Sequence, residues 1–340
     1  MAYTSIDDPS AYFKVQLYTG NGTVIGSGGN VITFDDTDTD LQPDMVWIKS
    51  RSTAEKHMLY DAIRGVTKDL KPSEADAENT NTEGLTAIGS DGFTVGNADK
   101  VNANTETYVA WCWKESATAG FDIVTWTGNE TARTISHSLS AVPNAMFVKC
   151  RDVAHGWAVY HAGNTSAPET DMLALSVNDA TTDNNTYWND TAPTSSVFSV
   201  GTQTETNQDT KLFVGYLFSE KQGYSKFGSY TGNGNADGPF VYTGFRPAFV
   251  MVKRTDSTGG WRMLDNKRNS YNGQYSTLVA DTTEVDYTAN DDFGNTDLLA
   301  NGFKIKLDFA QVNASGGSFV YMAFAEAPFV NSNGVPCNAR

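Results

Sequence analysis

The sequence predicts an all-β protein, built as three tandem β-sandwich, jelly-roll-like repeats of about 105 residues in a pseudo-threefold arrangement. Three observations predict it. The hydrophobic residues come in short runs bounded by Gly, Thr, Ser, Asn and Asp, the pattern of strands and turns rather than helices. The same blocks are written three times in the same order, with Phe93, Phe198 and Phe303 each 105 residues apart. Periods of about 20 to 50 residues mark solenoids and propellers, so a unit of this length is large enough for a core of its own. Finally, each unit closes on a strand that is apolar on both faces, which places it in the middle of a sheet covered on both sides.

Residues 1–12 precede the first block and form an N-terminal arm. With Ile6, Pro9 and Tyr12 and little charge, this arm is expected to dock on another chain. The first repeat covers residues 13–115. It opens with YTGNG (Tyr18–Gly22), which returns at Tyr230–Gly234 and, as WTGNE, at Trp126–Glu130. Asn-Gly after an apolar run predicts a tight hairpin, because a type I′ turn needs positive φ at both central residues. A proline-led strand follows: LQPDMVWIKSR (Leu41–Arg51), AVPNAMFVKCR (Ala141–Arg151) and FRPAFVMVKR (Phe245–Arg254). Proline at its start is where a missing N–H does least damage.

Next come HMLYD, WAVYH and WRMLD, then the strands around the three spaced phenylalanines. The closing strands are TYVAWCWKE, LFVGYLFSE and FVYMAFAE. In the first, Val109, Trp111 and Trp113 point one way, while Tyr108, Ala110 and Cys112 point the other. The second repeat covers residues 121–220 and the third 227–328, with a tail at 329–340. Joins of about five residues between repeats leave little freedom, so the three units are expected to form one rigid body.

The recurring charges suggest structural pairs. Lys49, Lys149 and Lys253 end the proline-led strands, and Glu115, Glu220 and Glu326 end the closing strands. A charge at the edge of an apolar face needs a partner. The expected pairs are Lys49–Glu115, Lys149–Glu220 and Lys253–Glu326.

Few residues advertise chemistry. A formal charge of −16 with scattered cations argues against tracking nucleic-acid phosphates. No apolar stretch approaches the roughly 18 residues of a membrane span. MAYTSIDDPSAY lacks the basic and apolar regions of a signal peptide, so the chain is expected to be made and kept soluble in the cytoplasm until assembly. The three cysteines lack metal spacing, and two of them sit in apolar runs as small buried thiols. No histidine lies in a zinc motif and no serine in a nucleophile elbow. No cofactor or enzymatic activity is expected.

Two stretches are candidate sites. Asp36, Asp38 and Asp40 offer hard oxygen ligands for Ca²⁺, but an EF-hand would need Gly and Glu where Leu41 and Trp47 stand. The loop of the second repeat sets Tyr187 and Trp188 among Asn189 and Asp190, the composition of a glycan site, in which rings stack on sugar C–H groups and polar groups take the hydroxyls. The competing role for Trp188 is to plug the end of its own sandwich.

YTGNG followed by LQPDMVWIKSR, the run YWNDTAPTSSVFSVG, and FSEKQGYSKFGSYTGNGNADGPFVYTGFRPAFVMVKRTDS resemble a repeat family of uncharacterised tail-associated virion proteins of bacteriophages, especially marine ones. The likeness runs from Ala11 to Phe329. It implies a non-enzymatic structural virion protein, assembled in the host cytoplasm, in the tail or host-adhesion apparatus. The alternatives are a receptor- or glycan-binding tip and a capsid decoration protein. The implied partners are other virion proteins, in several copies per particle, and a host surface glycan or receptor.

Overall fold

The computed structural model describes residues 2–34, 39–269, 271–273, 276–287 and 295–337. It is mostly β, with several antiparallel sheets and one-turn helices.

Three larger sheets share one strand order. In the first, Thr107–Trp113 lies between Phe13–Thr19 and Met45–Ser50, and Met58–Asp61 follows Met45–Ser50. In the second, Leu212–Phe218 lies between Phe121–Thr127 and Ala145–Cys150, with Ala158–His161 next. In the third, Ser318–Pro328 lies between Ser225–Thr231 and Phe245–Arg254, with Arg262–Asp265 next. The closing strands are therefore central, as their two apolar faces require.

Strand alternation divides these faces between two kinds of core. Tyr108, Ala110 and Cys112 meet Ile32, Leu85 and Phe93 from a small sheet that covers the first large sheet. Phe213 and Leu217 likewise meet Ile135 and Phe198, and Phe319, Tyr321 and Ala323 meet Val241, Leu298 and Phe303. The opposite faces, with Val109, Trp111, Trp113, Val214, Tyr216, Phe218, Val320, Met322 and Phe324, all enter one common core. At its centre Trp113, Phe218 and Phe324 meet mutually, with ring centroids 6.3, 5.6 and 5.8 Å apart. Aromatic pairs in this range attract beyond their area burial.

The TGN motif does not make the expected hairpin. Its strand leaves the large sheet there and crosses to a different one. The amides of Asn21, Asn129 and Asn233 donate to the side-chain oxygens of Asn102, Asn207 and Asn313, each fully buried at the end of a one-turn helix. Gly20, Gly128 and Gly232 sit so close to that helix end that a Cβ would lie 2.0, 2.1 and 2.2 Å from a carbonyl oxygen. Gly22 and Gly234 are left-handed, and Glu130 adopts that conformation without being glycine. The turn recurs because it docks on a buried asparagine.

The arm lies on its own chain. Ile6 enters the common core, Tyr3 Oη donates to Gly244 O at 2.7 Å and Thr4 Oγ1 to Gln222 O at 2.8 Å. Asp7 accepts from the Ser332 amide at 2.6 Å. Cys112 and Cys150 are buried free thiols, and Cys337 is exposed.

Candidate functional site

The expected Lys–Glu pairs do not form. Lys49 lies opposite Val109, Lys149 opposite Val214 and Lys253 opposite Val320. Each glutamate is six residues farther along, about 20 Å at strand spacing. The strands are antiparallel, so the end of one faces the start of the other. Glu220 pairs instead with Lys226 at 2.6 Å and Glu326 with Arg246 at 2.9 Å. Glu115 accepts from the Ile123 amide at 3.1 Å and lies against Asp122. Burial, then the contact with Asp122, raises it to about 7.

The lysines are fully buried on the common-core face of their strands and donate to backbone carbonyls. Lys49 donates to Ser50 O at 2.6 Å. Lys149 donates to Cys150 O at 2.9 Å and Ala75 O at 3.1 Å. Lys253 donates to Arg254 O at 2.8 Å, Gly259 O at 2.8 Å and Asp179 O at 2.6 Å. Burial lowers each to about 8, because little carboxylate charge offsets the lost hydration.

Those carbonyls reveal seams between the large sheets. A segment of the first sheet's connection reaches the second: Trp157 Nε1 donates to Lys71 O at 3.0 Å, and the Glu78 amide to Arg151 O at 2.8 Å. The second reaches the third in the same way, with Trp261 Nε1 donating to Ala174 O at 2.8 Å and the Thr181 amide to Thr255 O at 2.9 Å. The third reaches back to the first. His57 Nε2 donates to Val279 O at 3.1 Å, and the Asp286 amide to Arg51 O at 2.9 Å. His57 Nδ1 accepts from Trp47 Nε1 at 2.9 Å, which leaves Nε2 as the protonated nitrogen. Burial, reinforced by the Lys49 charge, holds this ring neutral well below its usual range.

Charge distinguishes the seams. Glu78 is shared by Arg64 (3.0 Å) and Arg151 (2.8 Å), and Asp286 by Arg268 (2.6 Å) and Arg51 (2.7 Å). The middle seam replaces the whole set with neutral groups. Thr181 donates to Asn164 at 2.7 Å, Thr255 stands two residues after Lys253 as the arginines do after Lys49 and Lys149, and His161 takes the place of Asp61 and Asp265. His161, held to about 4 by burial, donates from Nε2 to Tyr321 O at 3.0 Å.

The glycan residues are placed differently from expectation. Trp188 is 1% exposed and Tyr187 5%, both in the core between the second large sheet and its small partner. Trp188 Nε1 donates to Asp171 O at 3.0 Å. Only Asn189 and Asp190, both at positive φ, are exposed. The plug role describes Trp188, and neither ring offers a sugar its face. Of the Ca²⁺ candidates, Asp36 and Asp38 lie outside the described residues and Asp40 is exposed. Among the described residues no group of three His, Cys, Asp or Glu is placed to hold a metal.

A polar cavity of about 140 Å³ lies where the strand Phe13–Thr19 meets the third large sheet, lined by Ser10, Lys14, Asn266, Lys267 and Glu326 among others. Nothing in the sequence flagged it, because its walls come from opposite ends of the chain.

The profile of a domain of unknown function, DUF7483, matches residues 8–328. The chain belongs to the DUF7483 family. No curated protein and no solved structure matches it. The DUF7483 match spans all three large sheets and their seams, so family membership concerns the whole assembly rather than one of its sheets.

Proposed function

We propose that this DUF7483 chain is a non-enzymatic structural component of a bacteriophage virion, in the tail or host-adhesion apparatus. In this reading it is three tandem β-sandwich, jelly-roll-like repeats around a pseudo-threefold axis. The observation that carries it is the cyclic seam, in which each large sheet is clasped by the next and the third returns to the first around Trp113, Phe218 and Phe324. Such closure favours a rigid building block over a hinged enzyme. The buried lysines and histidines, which would otherwise be candidates for chemistry, are engaged by backbone carbonyls. The resemblance to tail-associated virion proteins supplies the biological setting. Partners are neighbouring virion proteins and a host surface glycan or receptor.

Antibody labelling of purified particles tests the proposal. Label at the tail or its tip, with the chain present in several copies, agrees with it. A chain found only in infected-cell lysate and missing from particles contradicts it.

A further inference from the structure

We propose that the outward face of the third small sheet is a binding platform for a neutral, β-linked oligosaccharide, with Phe240 and Tyr242 as its stacking rings. The three small sheets allow a comparison position by position. Phe93, Phe198 and Phe303 point inward and lie opposite Ile32, Ile135 and Val241. The residues on either side of those three partners point outward by strand alternation and are exposed in every sheet. They are Val31 and Thr33 in the first, Thr134 and Ser136 in the second, and Phe240 and Tyr242 in the third. Phe240 is 45% exposed and Tyr242 53%, so of the three sheets the third turns two aromatic rings to solvent at these positions. Val241 already supplies this strand's share of the core, and the fold has no use for the rings beside it.

Both rings are held in place. A Cβ on Gly302 would lie 3.0 Å from Cε2 and Cζ of Phe240, so this ring leans over the bare glycine of the next strand. Tyr242 Oη meets Tyr3 Oη at 3.3 Å, and Tyr3 is itself anchored on Gly244 O. Rings fixed beforehand lose little freedom when a ligand stacks on them. Two residues along a strand separate the Cα atoms by about 7 Å, which suits two consecutive units of a sugar chain better than one sugar. The charges beside the rings select a neutral chain. Lys304, opposite Phe240, is paired with Asp237 at 2.6 Å, and Lys306 with Asp297 at 3.2 Å, so these four groups leave no net charge on the face. The chain's −16 repels an acidic polysaccharide. Asp237, with its side chain 86% exposed, stands at the rim as an acceptor for hydroxyls. A β-linked pyranose chain with equatorial substituents is flat and bares C–H groups on its faces, the surface an aromatic ring takes.

This inference deepens the glycan partner of the proposed function and rests on that reading for its biological role. Its test is made on the purified full chain, so its outcome and that of the particle labelling are separate results. Isothermal calorimetry compares cellotetraose, a neutral β-linked probe, with maltotetraose, whose α-links curve the chain. Cellotetraose is expected to bind in the millimolar range, about tenfold more tightly than maltotetraose. Phe240→Thr combined with Tyr242→Ser, which gives the third sheet the outward residues of the second, should abolish the heat and leave the melting temperature unchanged. Each substitution alone should weaken binding about fivefold. No cellotetraose heat up to about 20 mM, maltotetraose bound equally well, or unchanged affinity in the double variant would each overturn the proposal. So would a dimer in sedimentation velocity that dissociates in the double variant, because a second copy would then occupy the face. If the double variant fails to fold, the two single variants decide.

Discussion

Trp188 and Tyr187 show what a residue-scale reading can and cannot see. Their composition suits a sugar site, but whether an aromatic ring faces solvent or core depends on neighbours outside the loop, here Tyr160 and the strand Val197–Val200. Trp188→Ala should cost about 3–5 kcal/mol, as for a buried aromatic, when measured by urea unfolding. The titratable residues give a second prediction. His161 sits at about 4 in the fold, below its usual range, so the unfolded chain binds more protons between those values and stability falls as pH drops through that window. Glu115 is raised to about 7. Its contribution is complete below the ordinary glutamate range and disappears as pH rises through about 7. Thermal unfolding of Glu115→Gln across pH 5 to 8 should therefore lose less stability with rising pH than the parent does. An identical slope in the two proteins would contradict the raised titration of Glu115 that burial and the contact with Asp122 produce.

At the scale of elements, strand alternation was legible. The split of Val109, Trp111 and Trp113 from Tyr108, Ala110 and Cys112 follows from the period of two, and the structure sends each set to a different core. Pairing was not legible, because register joins residues tens of positions apart. The Lys–Glu expectation failed on that point. The TGN turn was visible as a repeated motif, but its docking asparagine lies about 80 residues downstream. The seams allow a comparison within one molecule. Arg151→Met removes one partner of Glu78 and should cost about 2 kcal/mol, the scale of a hydrogen bond to a charged group. Thr181→Val, in the neutral seam, should cost about 1 kcal/mol. Chemical denaturation of the two variants checks the difference, and equal losses would mean that the arginine–carboxylate sets add nothing over the neutral one.

For the whole molecule, the common core matters most. Each large sheet contributes a face to it, so on this account no sheet with its small partner is complete alone. Removing any one exposes Trp113, Phe218 or Phe324 and their neighbours to water. The short joins made one rigid body the expectation from sequence. The closing of the third sheet onto the first, through His57, Arg51 and Asp286, could not be read there, because His57 stands where the other blocks have tryptophan. The most direct measurement of this account is differential scanning calorimetry of the full chain. It predicts one transition whose van't Hoff and calorimetric enthalpies agree, as for a single cooperative unit. Two or three resolved transitions, or a calorimetric enthalpy well above the van't Hoff value, would show that the three sheets unfold independently and would contradict the shared core.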